Sequence, residues 1–172
     1  MIAPDENAIT PASAPDVAAA CFFNALLRES GGWHWRAGVP GEVAVLPVDA
    51  GALHLRVRHR SASGECRFHW PIEWARDGRA CAVSFEAALD RILASPGLIG
   101  LVPAAALAAF RARVLESRAN TRASLAARAD LAHLQHGPLD FAQAEQGLLG
   151  GHAFHPAPKS RAPFTADEAA RY

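Results

Sequence analysis

The chain has 172 residues, 51% of them hydrophobic, with Lys+Arg and Asp+Glu balanced at 17 each. That length and apolar content suffice to bury a core and exclude a disordered chain, and the zero formal charge removes any global field that would recruit nucleic acid or an anionic membrane, so anion binding must be local. Three cysteines without CxxC spacing (Cys21, Cys66 and Cys81) speak against a disulfide framework or zinc knuckle and read as small core residues.

Residues 1–15 mix Pro, Ala and acidic groups without periodicity and read as a flexible lead. They lack the basic and apolar regions of an ordinary secretory signal, and the longest apolar stretch, SPGLIGLVPAAALAAF, is too broken by Pro and Gly to span a bilayer, so a soluble cytoplasmic protein is expected. Asp16 is placed to cap a helix through VAAACFFNALLRES, stopped by Gly31-Gly32, whose pairs Phe22/Leu26 and Phe23/Leu27 give it a broad apolar face.

The period then changes from that of a helix to that of a strand. ALHLRVRHR alternates Leu53, Leu55 and Val57 with His54, Arg56 and Arg58, and ECRFHWPI alternates Cys66, Phe68, Trp70 and Ile72 with Glu65, Arg67 and His69. With EVAVLPV before and ACAVSF after, these segments predict an antiparallel meander of about four strands joined by short Gly, Asp and Ser turns. The two middle strands share a basic outer face, which reads either as solvated surface or as a ligand or partner face.

Ser84 is placed to cap FEAALDRILAS, ending at Pro96-Gly97, and Pro103 opens a long Ala/Arg-rich helical region to about His136. Leu107, Phe110, Val114 and Leu115 form its apolar stripe, continued by Leu125, Leu131 and Leu134, with a break expected near Ser117–Asn120. Gly137-Pro138 ends this region. Asp140 with Gln143 resembles a capping box for a short helix FAQAEQGLL, and Thr165 with Glu168 another for ADEAARY. The fold class is therefore α+β, helices packed on a small antiparallel β-meander.

Between the last two helices lies GGHAFHPAPKSRAPF, residues 150–164. Pro156 and Pro158 restrict its backbone and so position side chains at low entropic cost. Lys159 and Arg161 offer point-charge and bidentate recognition of oxyanions, and His152 and His155 add hydrogen-bond donors. This is equipment for a polyphosphate or polycarboxylate, although a Lys/Arg loop can equally be plain solvated surface. A HxxH pair without a third ligand is incomplete as a metal site, so no metal is assigned. P-loop, Rossmann and nucleophile-elbow motifs are absent.

The segment EQGLLGGHAFHPAPKSRAPFTADEAARY resembles the signature of the aerobactin-synthetase-like (IucA/IucC) family of siderophore synthetases, which runs approximately G-H-P-x-H-P-x-x-K-x-R-x-G-F. Gly151, His152, His155, Pro156, Lys159, Arg161 and Phe164 match it; Ala153 and Pro163 depart from it. FFNALLRES is also similar to the family's first core helix. The resemblance implies an ATP-dependent ligase that activates a carboxylate, citrate or a related acid, as an acyl adenylate and transfers it to an amine or hydroxyl of a polyamine or amino alcohol. It implies Mg2+ with the ATP, cytoplasmic siderophore biosynthesis for iron acquisition, and no nucleic-acid or membrane partner, and it leaves room for a homodimer of the complete protein. By the same resemblance Arg161 and Lys159 act in catalysis, and His155, Lys159, Ser160, Arg161 and His152 contact phosphate or carboxylate.

Family members are longer, so residues 16–172 are expected to form the N-terminal region of such a synthetase, truncated after the loop, with the isolated chain inactive. The competing expectation is a noncatalytic remnant that retains the cationic loop as an anion-binding or interaction module.

Overall fold

The computed structural model describes residues 16–38, 41–48, 50–127 and 151–160. In chain order the elements are α1 (Val17–Glu29), β1 (His34–Gly38), β2 (Gly41–Val48), β3 (Gly51–Arg60), β4 (Cys66–Arg76), β5 (Arg79–Val83), α2 (Phe85–Leu93), α3 (Pro96–Ile99) and α4 (Ala104–Ala127). Residues 30–101 belong to one compact unit; residues 16–29 belong with the described part of 102–172 to another.

In the first unit the five strands pair in sequence order, every pair antiparallel. The predicted alternation sets the buried face: Leu53, Leu55, Val57, Cys66, Phe68 and Ile72 are buried, whereas Arg56 and Arg58 are exposed. Asp77 and Gly78, both at positive φ (51° and 74°), form the tight turn between the paired Arg76 and Arg79, the backbone that a two-residue hairpin of matching twist requires. Gly41 also has positive φ (86°), and a Cβ there would lie 2.8 Å from the Val57 carbonyl oxygen. Only glycine lets β2 start so close to β3.

Three readings of this unit change. The sheet has five strands rather than about four, because His34–Gly38 pairs with β2 as an edge strand. His34 through Ala37 are all exposed, so β1 carries no apolar alternation by which its period could be read. Trp70 is only half-buried: the β3–β4 register shifts between His54 and Arg56, leaving residues 70–72 of β4 opposite Leu55. Cys81 is exposed on strand β5 and is not a core residue, whereas Cys21 and Cys66 are buried as expected.

Ser84 caps α2 by accepting the Ala87 N–H at 3.1 Å, and Phe85, Ala88, Leu89 and Ile92 form its buried stripe. Pro96 does not merely end this run. It opens the single turn α3, since a proline at the first helical position loses no intrahelical bond, and Gly100 at positive φ closes that turn.

The second unit rests on α1 packed against α4. Asp16 links them. Its Oδ1 accepts the Ala19 N–H at 3.1 Å as the cap of α1, while Oδ2 accepts from Arg118 Nε at 2.7 Å and Arg122 at 3.0 Å, both on α4. The expected break near Ser117–Asn120 does not occur, and α4 runs unbroken from Ala104 to Ala127. Its buried line passes through Val114, Ser117 and Thr121, so small polar residues stand where an apolar stripe was expected. Leu131, Leu134, Gly137-Pro138, the short helix expected after Asp140 and the helix expected after Thr165 lie outside the described residues.

Candidate functional site

The loop at residues 151–160 is shaped by contacts it makes with itself and with α4. Gly151, at φ 72°, sits so near Pro158 that a Cβ would come 2.6 Å from the proline's own Cβ. Each histidine folds back on the chain two residues ahead: His152 Nδ1 accepts the Phe154 N–H at 3.2 Å, and His155 Nδ1 accepts the Ala157 N–H at 3.1 Å. With Nδ1 accepting, the donor left to each ring is its Nε2–H, on a side chain that is exposed. The His155 N–H donates to the His152 carbonyl and the Ser160 N–H to that of Ala157, which tightens both turns. Phe154 lies under the Arg28 guanidinium of α1, 4.9 Å from the ring centroid.

Lys159 is held at its main chain. Its N–H donates to Ser117 Oγ at 2.8 Å, and its carbonyl accepts from Asn120 Nδ2 at 3.0 Å. Both partners come from one turn of α4. The next residue is fixed too, because the Ser160 hydroxyl donates to Glu116 Oε2 at 3.3 Å. Among the described residues no carboxylate pairs with the Lys159 ammonium. Lys159 is also the only lysine in the chain; all its other basic side chains apart from histidine are arginine.

Of the residues expected at the site, His152, His155, Lys159 and Ser160 thus share one short loop, with Ser160 already engaged by a carboxylate. Arg161, Pro163 and Phe164 lie outside the described residues. Among the described residues no three His, Cys, Asp or Glu side chains gather as a metal site. What sequence reasoning missed is the support: Ser117 and Asn120 read as a helix break, and Glu116 was not singled out. The available signal was their type, since Ser, Asn and Thr are poor choices inside an Ala-rich helix unless their side chains bond to backbone.

The basic sheet face is a separate cluster within the first unit. His34, Val45, His54 and Glu73 lie in one cross-strand row, and Arg36, Val43, Arg56 and His69 in the next. Arg56 is hydrogen-bonded to Glu73, so part of this charge is neutralised. Burial, then the neighbouring Arg36, push the His54 pKa below its ordinary value. Burial raises the Cys66 thiol, which therefore makes a poor nucleophile.

Residues 140–172 match the model of the IucA / IucC family. The chain is 40% identical over 173 residues to the N(2)-citryl-N(6)-acetyl-N(6)-hydroxylysine synthase of Escherichia coli, covering 100% of this chain and 29% of that protein. It is 36% identical to the enzyme of the same name from Vibrio mimicus, over 89% of this chain and 26% of that one. Among solved structures, ATP-bound aerobactin synthetase IucA from a hypervirulent pathotype of Klebsiella pneumoniae superimposes with a TM-score of 0.84 at 39% identity, over 92% of this chain and 29% of its own. The chain thus spans less than a third of the length of these relatives.

Proposed function

The chain belongs to the IucA/IucC family, and from that premise we propose that it supplies part of the ATP- and carboxylate-binding site of a siderophore synthetase. In the reaction a carboxylate oxygen of citrate or a related acid attacks the α-phosphorus of ATP and pyrophosphate leaves. The amine or hydroxyl of the second substrate then attacks the acyl carbon of the adenylate, losing its proton as AMP departs. Charge grows on the phosphoryl oxygens in the first step, and fixed cations and N–H donors stabilise it there more than in the ground state.

The observation that carries this reading is a lysine pinned on both sides of its main chain, with an ammonium that no described carboxylate neutralises. Lys159 then meets a phosphate oxygen, joined by the Nε2–H donors of His155 and His152 and by Arg161; Ser160 joins them only if its hydroxyl turns from Glu116 to the phosphate. Magnesium enters only as companion of the nucleotide, whose phosphates hold it. The ATP bound to the Klebsiella relative supports a nucleotide site in proteins of this architecture.

The experiment is carboxylate-dependent exchange of pyrophosphate into ATP by the full natural polypeptide that contains residues 1–172. Loss of one well-placed donor typically lowers such a rate about a hundredfold. Lys159→Ala and Arg161→Ala are each expected to do so without lowering the melting temperature. Near-normal exchange in both variants would remove the loop from the mechanism, and parallel losses of stability and rate would make its role structural.

A further inference from the structure

We infer that Ser117 and Asn120 are positioning residues that set where the Lys159 side chain starts by holding its main chain, an inference that rests on the phosphate-binding role given to Lys159 above. The two residues are three apart on α4 and therefore share a face. One accepts the N–H of Lys159 and the other donates to its carbonyl, so a single helical turn satisfies both backbone groups of one loop residue, as a neighbouring strand would. Ser117 is 1% exposed, and its own carbonyl accepts the Thr121 hydroxyl at 2.8 Å. The bond to Lys159 is thus made to a buried hydroxyl at a partly buried place, where an amide left without its acceptor is costly.

Main-chain recognition has a specific consequence. The helix does not read which side chain stands at position 159, so Lys159→Ala keeps the clamp while removing the cation. Ser117→Ala does the reverse: it keeps the cation and removes the acceptor. The four-carbon stem of lysine is flexible, and fixing its root shortens the search its ammonium makes for a phosphate oxygen. Glu116, bonded to Ser160, extends the same rail by one residue.

The test uses Ser117→Ala and Asn120→Asp in the full natural polypeptide. Alanine favours the helix, and aspartate keeps the size of asparagine but cannot donate to the Lys159 carbonyl. Lys159–Ser160 is the only bond within residues 1–172 that a lysine-specific endoprotease can cut, and mass spectrometry follows that cut. Its rate reports how often the loop opens and is expected to rise about tenfold or more in each variant. Pyrophosphate exchange should fall in both, and Ser117→Ala should add little to the loss already caused by Lys159→Ala, since the two act through one cation. Unchanged cutting would overturn the clamp. Faster cutting with normal exchange, where Lys159→Ala abolishes exchange, would leave a structural bond and overturn the positioning role, as would losses that multiply in the double variant. Normal exchange in Lys159→Ala itself would instead bring down the functional reading on which the inference rests.

Discussion

The five-stranded sheet and the loop after Gly150 are ordered by opposite means. In the sheet, order comes from apolar side chains: Leu53 and Leu55 on β3 are fully buried, as are Ala44 and Leu46 on β2, which pair with Leu55 and Leu53. In the loop, order comes from backbone polar groups, paired with His152, His155, Ser117 and Asn120, and only Ala157 is buried among its described residues. Hydrophobic burial is strong and indifferent to direction, whereas hydrogen bonds contribute less but fix orientation. A scaffold of the first kind and a loop of the second divide stability from positioning.

That contrast breaks most visibly at Leu55. Leu55→Ala should lower stability by about 2–5 kcal/mol, since its surroundings are closed on the sheet's buried face. Denaturant unfolding measures this, and cutting after Lys159 under native conditions should stay near its original rate. Lys159→Ala is the converse, with exchange reduced about a hundredfold and stability held within about 0.5 kcal/mol, as for other surface substitutions.

A smaller effect is expected at Asp16, which caps α1 and accepts from two arginines of α4. Asp16→Ala should cost about 1–2 kcal/mol, the upper range for loss of a cap, because Arg118 is left without this partner at a largely buried site. Thermal unfolding read by circular dichroism gives the number, and Asp16→Asn, which keeps a capping oxygen, should recover part of it.

The smallest effect is on pH dependence. His54 has its pKa lowered by burial and by Arg36, so the unfolded state binds more protons than the folded state as pH falls through about 6.5, the ordinary histidine value. Stability should be full above that value and decline toward the lower folded pKa. Charges facing His54 shape the decline: Arg36, His34 and Arg56 steepen it, and Glu73 opposes it. His54→Gln should flatten the fall in melting temperature between pH 7 and pH 5; an unchanged profile would assign the pH dependence to other groups.

The two regions also differed in what could be read from sequence. Strands β3 and β4 were legible because burial on one face forces a period of two, and Ser84 and Asp16 because a cap has a fixed side-chain chemistry. Strand β1 was not, since an exposed edge strand is specified by pairing with its neighbour, which leaves no mark in its own residues. Cys81 misled for a related reason: free cysteine is commonly buried, and nothing in its neighbours says that the strand is an edge. At the loop, the cationic residues could be named from their types and from the family resemblance. Ser117 and Asn120 could not, because they act across 42 and 39 residues of chain, and their polar character suggested a helix break instead.

The central claim is that the Lys159 ammonium meets the nucleotide, and it can be tested on that amine. Within residues 1–172 Lys159 is the only lysine that an amine-reactive acylating reagent can modify, and mass spectrometry follows that site. With the full natural polypeptide, ATP at concentrations that saturate pyrophosphate exchange is predicted to slow acylation of Lys159 about tenfold or more, as a bound phosphate covers the amine. Equal acylation of Lys159 with and without saturating ATP would contradict the account.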